Sequence, residues 1–166
     1  MKDTQEAYGF LPNLLGVMAE APALLKAYRT VVGLFDETSL TPTERQVVLL
    51  TVSESNGCGY CVAAHTVIAG MQQVAADVVD AIRAGQAIAD PKLQALRRFT
   101  AAVVESRGGP SADDMAAFLN AGYTQTQVLE VVLGVGVKTL SNYTNHIADT
   151  PLDAAFAKAA WSKTAA

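Results

Sequence analysis

LTPTERQVVLLTVSESNGCGYCVAAHTVIAG, Leu40 to Gly70, decides how this 166-residue chain is read. Its first half contains VVLLTV, a continuous apolar run that fits a buried strand as well as a buried helix by periodicity alone. The residues in front of the run settle the choice. Thr41 and Glu44 have the spacing of a capping box, and Pro42 stands at the first helical position, where its missing N–H costs nothing. A buried helix is therefore expected. Asn56-Gly57 should end it, because glycine reaches the left-handed C-cap conformation without strain, and a second helix should run from near Cys58 to about Met71.

Helix signals recur on both sides of this stretch. Pro22 opens an apolar-periodic segment, Ala23 to Phe35. Ala75 to Ala84 is helical and stops at Gly85; Asp90-Pro91 caps a helix through Glu105; Ser111 and Asp114 start a short one that Gly122 ends. Thr124 and Gln127 open a long helix reaching about Ile147, and Pro151 begins a last one through Trp161. Nothing alternates with a period of two over a useful length. The expected architecture is all-α, seven to nine helices in a single domain, 1–166, with no repeat, low-complexity tract or long linker. Met18, Met71 and Met115 fall at apolar helical positions and are read as core.

Composition narrows the functional classes. Hydrophobic residues make up 51% and charged residues only 17%, which leaves little polar surface for a monomer, so apolar surface is expected between subunits of a homo-oligomer. Twelve Lys and Arg against 16 Asp and Glu, with no basic run, argue against nucleic acid. The first ten residues, MKDTQEAYGF, have the wrong pattern for a secretory leader, and no apolar stretch approaches the ~20 residues of a bilayer span. A cytoplasmic, membrane-independent protein is expected, in a compartment that keeps ordinary thiols reduced. A domain of this size needs no disulfide for stability.

Both cysteines and one of the two histidines nevertheless crowd into one segment. On a helix, Cys58, Cys61 and His65 stand at i, i+3 and i+7 and share a face with Val62 and Ile68. Cys58 lies at the expected N-terminus, where the macrodipole favours a thiolate; Cys61 lies one turn from His65, which can take a proton or hold a thiolate. The two criteria favour different sulfurs. Zinc is an alternative, with His65 and His146 completing the set, but there is neither a second C-x-x-C nor an H-x-x-x-H. A purely structural disulfide would close a loop too short to remove much unfolded-state entropy. An inert buried pair is a further alternative. Redox chemistry fits the pattern best, without a cofactor. The thioredoxin fold does not, because there the motif follows a strand.

VSESNGCGYCVAAH, Val52 to His65, resembles the signature of the AhpD-like members of the carboxymuconolactone decarboxylase superfamily. The likeness extends back through LTPTERQVVLLTVS, and NYTNHIADTPLDAAF, Asn142 to Phe156, is similar to the peroxidase-related branch. The resemblance implies an all-helical oligomer, a trimer or hexamer or else a dimer, whose C-x-x-C-x-x-x-H helix reduces peroxides or disulfides. It makes Cys61 the peroxidatic thiol, Cys58 its disulfide partner and His65 the proton-relay histidine. The electron donor would be an external dithiol, a thioredoxin-like protein or a lipoyl group.

Two positions depart from the pattern. Where AhpD has a relay glutamate, twelve residues before the first cysteine, this chain has Gln46, which can hydrogen-bond but cannot take a proton. Glu44 would point roughly 200° away on the same helix. Where AhpD has a second histidine between the cysteines, this chain has Tyr60, whose phenol could donate to a peroxide or a sulfenate. The relay is thus reduced to His65 or completed from elsewhere. His146 is one candidate: Val128, Val131, Val135, Thr139, Asn142 and His146 form a stripe that places it near the core or a subunit contact, most simply as a helix-capping core histidine. Gly134 and Gly136 inside this helix suggest close packing or a bend. A lactone-carboxylate lyase, which the superfamily's name suggests, would draw its cations from Arg83, Arg97 and Arg98 and would have no use for paired thiols. A non-enzymatic metal or redox-sensing module is the third reading.

Overall fold

A computed structural model describes residues 10–163; residues 1–9, most of the stretch tested as a leader, and 164–166 lie outside the described span. Over that span the chain is all-α. The helices are α1 (Asn13–Ala19), α2 (Pro22–Asp36), α3 (Pro42–Ser55), α4 (Gly59–Met71), α5 (Ala76–Arg83), α6 (Pro91–Glu105), α7 (Ala112–Asn120) and α8 (Gln125–Ala148), followed by a 3₁₀ helix at Ala154–Ala159. Among the described residues, none of these helices is long and apolar enough to cross a membrane.

The ambiguous run is a helix, and its cap is the reason. Thr41 Oγ1 accepts from the Glu44 N–H at 3.2 Å, and Glu44 Oε2 accepts from the Thr41 N–H at 2.8 Å. The two bonds satisfy donors that the first turn would otherwise leave open. Every residue from Gln46 to Ser53 is buried, because α3 is packed by α4, α5, α6 and α8. It is the axle of the bundle. A strand in that place would leave its backbone without ladder partners among helices. Asp90, Ser111 and Thr124 cap α6, α7 and α8 as their sequence signals require.

The faces of α8 differ from expectation. Its buried residues are Val131, Gly134, Val137, Lys138, Ser141, Asn142 and Asn145, a stripe turned about one residue from the expected one. His146 is exposed in the single chain, and Met71 is 60% exposed rather than core; Met18 is fully buried and Met115 partly so. The apolar pattern misled because the true stripe carries a lysine and three small polar residues. Gly134 is the close-packing glycine: a Cβ there would stand 2.6 Å from Val48 Cγ1 and 2.9 Å from Phe35 Cε2. Gly136 meets nothing within 4 Å.

The C-terminal segment also departs from its expected helix. The Asp153 carboxylate, placed to cap a helix from Pro151 to Trp161, instead accepts from the Asn13 N–H at 3.1 Å and the Tyr60 hydroxyl at 2.5 Å. Arg83 takes the Ala159 and Ala160 carbonyls, and Trp161 Nε1 donates to Arg83 O. With its cap and carbonyls engaged elsewhere, the segment forms one short 3₁₀ stretch and lies as a strap across α4 and α5. The missed helix α1 is pinned beneath it.

Gly134→Ala is expected to lower stability by about 1–3 kcal/mol in urea unfolding, because overpacking against stiff Val48 and buried Phe35 outweighs the gain in helix propensity. Gly16→Ala on the exposed face of α1, where a Cβ meets nothing, should instead raise stability by up to ~1 kcal/mol.

Candidate functional site: a buried thiol pair facing a cavity

Cys58 is the N-cap of α4 and Cys61 its third residue, so one helical turn carries both sulfurs. Gly57 makes the turn from α3 at φ +67°, a conformation that costs glycine nothing. Gly59 lies under the strap, where a Cβ would stand 2.7 Å from the Trp161 carbonyl oxygen. Both cysteines are free thiols, 1% and 2% exposed.

The inner face of α8 supplies their surroundings. Asn145 Nδ2 donates to Cys61 Sγ at 3.2 Å and lies 3.9 Å from Cys58 Sγ; Ser141 Oγ is 3.8 Å from Cys61 Sγ. One turn further back stands Lys138, 1% exposed. Asn142 ties this layer to Asn56 at 2.9 Å and to Ser53.

These neighbours separate the two sulfurs. A hydrogen bond from the Cys58 S–H holds the Cys61 thiol well below its ordinary range, and Lys138, Ser141 and Asn142 add to the effect against the opposing cost of burial. Donating that bond, together with burial and the nearby Cys61 charge, pushes Cys58 up. The dipole does not discriminate, because both residues belong to the first turn. Of the two sulfurs, Cys61 is the one whose anion these neighbours favour.

His65 is half-buried near Lys138, and desolvation and that cation push its imidazole well below the ordinary range. Its Nδ1 meets Gln46 Oε1 at 3.0 Å, while Gln46 Nε2 donates to Gln72 Oε1 at 3.1 Å. The contact engages His65 Nδ1 with the Gln46 amide, as donor or acceptor according to the ring's tautomer. Tyr60 is less available than its sequence position suggests: its hydroxyl donates to Asp153 and accepts from the Leu14 N–H at 3.3 Å, and both burial and Asp153 raise its pKa. Its ring packs edge-on against Phe156.

A cavity of about 350 Å³ opens onto the site, with Cys61, His65, Gln46 and Lys138 in its wall among Leu15, Phe35 and Phe156. All five sequence-predicted residues, Cys58, Cys61, His65, Tyr60 and Gln46, come together at the start of α4 and its flank on α3. Lys138, Ser141, Asn145 and Asp153 were missed. The one available signal was Lys138 itself, a lone charge in the middle of LGVGVKTL. None of the arginines considered for a carboxylate, Arg83, Arg97 and Arg98, lines this cavity: Arg83 holds Thr66 and the strap, and Arg98 lines a separate recess between α6 and α7. Among the described residues, no three His, Cys, Asp or Glu side chains cluster as metal ligands.

The profile of the carboxymuconolactone decarboxylase family matches residues 19–105. No protein of curated function matches the sequence significantly. Among solved structures, an uncharacterized peroxidase-related protein from Ralstonia eutropha JMP134 with an alkylhydroperoxidase AhpD core is similar at a TM-score of 0.84 and 23% identity, over 93% of this chain and 83% of that one. A second uncharacterized peroxidase-related protein, from Silicibacter sp. TM1040, gives 0.83 and 19%, over 93% and 83%. The debrominase Bmp8 in complex with 2,3,4-tribromopyrrole gives 0.80 and 19%, over 94% and 84%. At these identities the structural likeness speaks for the fold, and the profile for ancestry. With that profile spanning more than half of its length, this all-α chain belongs to the carboxymuconolactone decarboxylase family and has the AhpD-like fold.

Proposed function

We propose that the protein is a thiol-dependent peroxidase and disulfide reductase of antioxidant defence, working in the reducing cytoplasm. The observation that carries this reading is the arrangement of the pair: Cys61 faces the cavity with the Asn145 amide on its sulfur, and Cys58 stands behind it in the same turn, an asymmetry that lowers the Cys61 pKa and raises that of Cys58. The thiolate attacks the outer oxygen of a hydroperoxide; an S–O bond forms, the O–O bond breaks, and the departing oxygen takes up a proton. The Cys58 thiol then attacks the sulfenic acid, forming the disulfide and releasing water. An external dithiol, on a thioredoxin-like protein or a lipoyl group, returns both cysteines to the thiol state.

The debrominase neighbour raises a second thiol reaction, removal of bromine from a small aromatic ring. The aromatic walls Phe35, Tyr60 and Phe156 would admit a flat ring. A lactone lyase, suggested by the family name, would make no use of the thiols. Homo-oligomerisation is part of the same proposal, supported by Leu129, Val132, Tyr143 and Ile147, each more than half exposed and within a ~60° arc of α8.

Consumption of cumene hydroperoxide with a dithiol donor is expected for the wild-type protein and should be abolished in Cys61→Ser; turnover of 2,3,4-tribromopyrrole without hydroperoxide consumption would transfer the reading to dehalogenation. Lactone decarboxylation that survives Cys61→Ser would replace both. Alkylation by iodoacetamide should retain its rate at Cys61 as pH falls below the ordinary thiol range of about 8.5, because a lowered pKa keeps the thiolate populated there. Cys58, shifted the opposite way, should stay unreactive through pH 9. Light scattering on a sizing column should report an oligomer, and Ile147→Glu should shift it toward monomer.

A further inference from the structure

The proton for the departing oxygen has no obvious source among the residues the motif supplies. The His65 imidazole is held toward its neutral form with Nδ1 engaged by Gln46; the Tyr60 hydroxyl is spent on Asp153; Gln46 is not an acid. Against this stands Lys138, almost wholly buried, on the α8 face one turn from Ser141 and two from Asn145, both of which reach Cys61 Sγ. It shares the cavity wall with Cys61. Among the described residues no carboxylate and no hydrogen-bond acceptor meets its ammonium: the ion pairs there join Arg45 to Asp36, Lys92 to Glu44 and Lys163 to Glu54. An ammonium buried without a partner costs several kcal/mol, so the cavity must offer it negative charge.

We propose that Lys138 is a catalytic residue of the dithiol centre, acting as counter-ion of the Cys61 thiolate and then as the acid that protonates the leaving oxygen. The proposal rests on Cys61 as the attacking sulfur. When the thiolate takes the outer oxygen of a hydroperoxide, the electron pair of the O–O bond leaves with the inner oxygen as an alkoxide. Lys138 gives this alkoxide its proton, yielding an alcohol, a Cys61 sulfenic acid and a neutral amine. Cys58 then displaces hydroxide from the sulfenic acid, its own proton completing a water molecule and the S–S bond closing. Reduction by the external dithiol regenerates the Cys58 thiol and the Cys61 thiolate, and the second proton of the dithiol returns to Lys138. The other titratable groups of the cavity are His65 and Tyr60 on α4 and Tyr28, Arg29 and Asp36 on α2. Of the three α2 groups, Asp36 is 64% exposed and pairs with Arg45.

The test compares Lys138→Met, similar in length and uncharged, with Lys138→Arg, which keeps the charge; circular dichroism and thermal melts establish that each is folded. The iodoacetamide midpoint of Cys61 should rise by at least about one pH unit in Lys138→Met, a roughly tenfold loss of thiolate below both midpoints, and stay low in Lys138→Arg. Single-turnover rates with hydroperoxides of increasingly basic leaving alkoxides should fall progressively in Lys138→Met and hardly at all in the wild type. An unchanged midpoint overturns the ion pair. A rate loss equal for every leaving group overturns the proton transfer, since a merely structural lysine would act that way. Should the wild-type protein leave hydroperoxides untouched, the peroxidase reading falls, and the alkylation midpoint alone upholds or overturns the ion pair.

Discussion

A lysine ammonium inside a helical bundle has to find negative charge, and this requirement governs how α8 meets the first turn of α4. Neutral donors surround Cys61: the Cys58 thiol, Ser141 and the Asn145 amide. Such donors orient a sulfur and favour its anion, but each contributes less than a full charge at short range in a weakly screened interior. In the proposed ion pair Lys138 supplies the charge. The relation runs both ways, because the thiolate that Lys138 stabilises is also the anion that makes a buried lysine tolerable. Neither group would be comfortable in its ionised form without the other, so the pair sets the chemical state of the site.

The same requirement explains which parts of the molecule could be read from the sequence. Helices α2 to α8 were legible because their boundaries are written in local chemistry: a capping box at Thr41 and Glu44, another at Thr124 and Gln127, Pro at the first positions of α2, α3 and α6, and Gly at the exits. The C-x-x-C-x-x-x-H stripe was legible for a similar reason, since i, i+3 and i+7 share a face whatever the tertiary context. Which face of α8 turns inward was not. An apolar count selects Val128, Val135 and Thr139, whereas the bundle buries Lys138, Ser141 and Asn145, the residues that turn toward the thiols and their cavity. Tertiary demand overrode hydrophobic pattern where the chemistry is.

The strap was illegible for a different reason. Pro151 and Asp153 form a good helix start in isolation, but the Asp153 carboxylate gains more from the Asn13 N–H and the Tyr60 hydroxyl, partners that lie far away in sequence. Tyr60 thereby acts as a post rather than as the peroxide donor its position suggested: it fastens α1 and the strap to the turn that carries the cysteines. That turn is held from outside by the Trp161 carbonyl over Gly59 and from inside by α8. Because both sulfurs ride on this one turn, bonding them calls for side-chain rotation and for no sliding of helices.

A rigid turn with a stabilised thiolate has a consequence for which direction electrons prefer to flow. Every interaction that favours the Cys61 thiolate lowers the free energy of the reduced protein, while the disulfide carries no charge to benefit from Lys138, Ser141 or Asn145. The difference raises the reduction potential of the pair, as in any dithiol whose reduced form is selectively stabilised. On the proposed function, an ordinary external dithiol would then reopen the disulfide and return the centre to the state that attacks a substrate. The depressed thiol pKa and ready reduction are therefore two expressions of one charge arrangement on the inner face of α8.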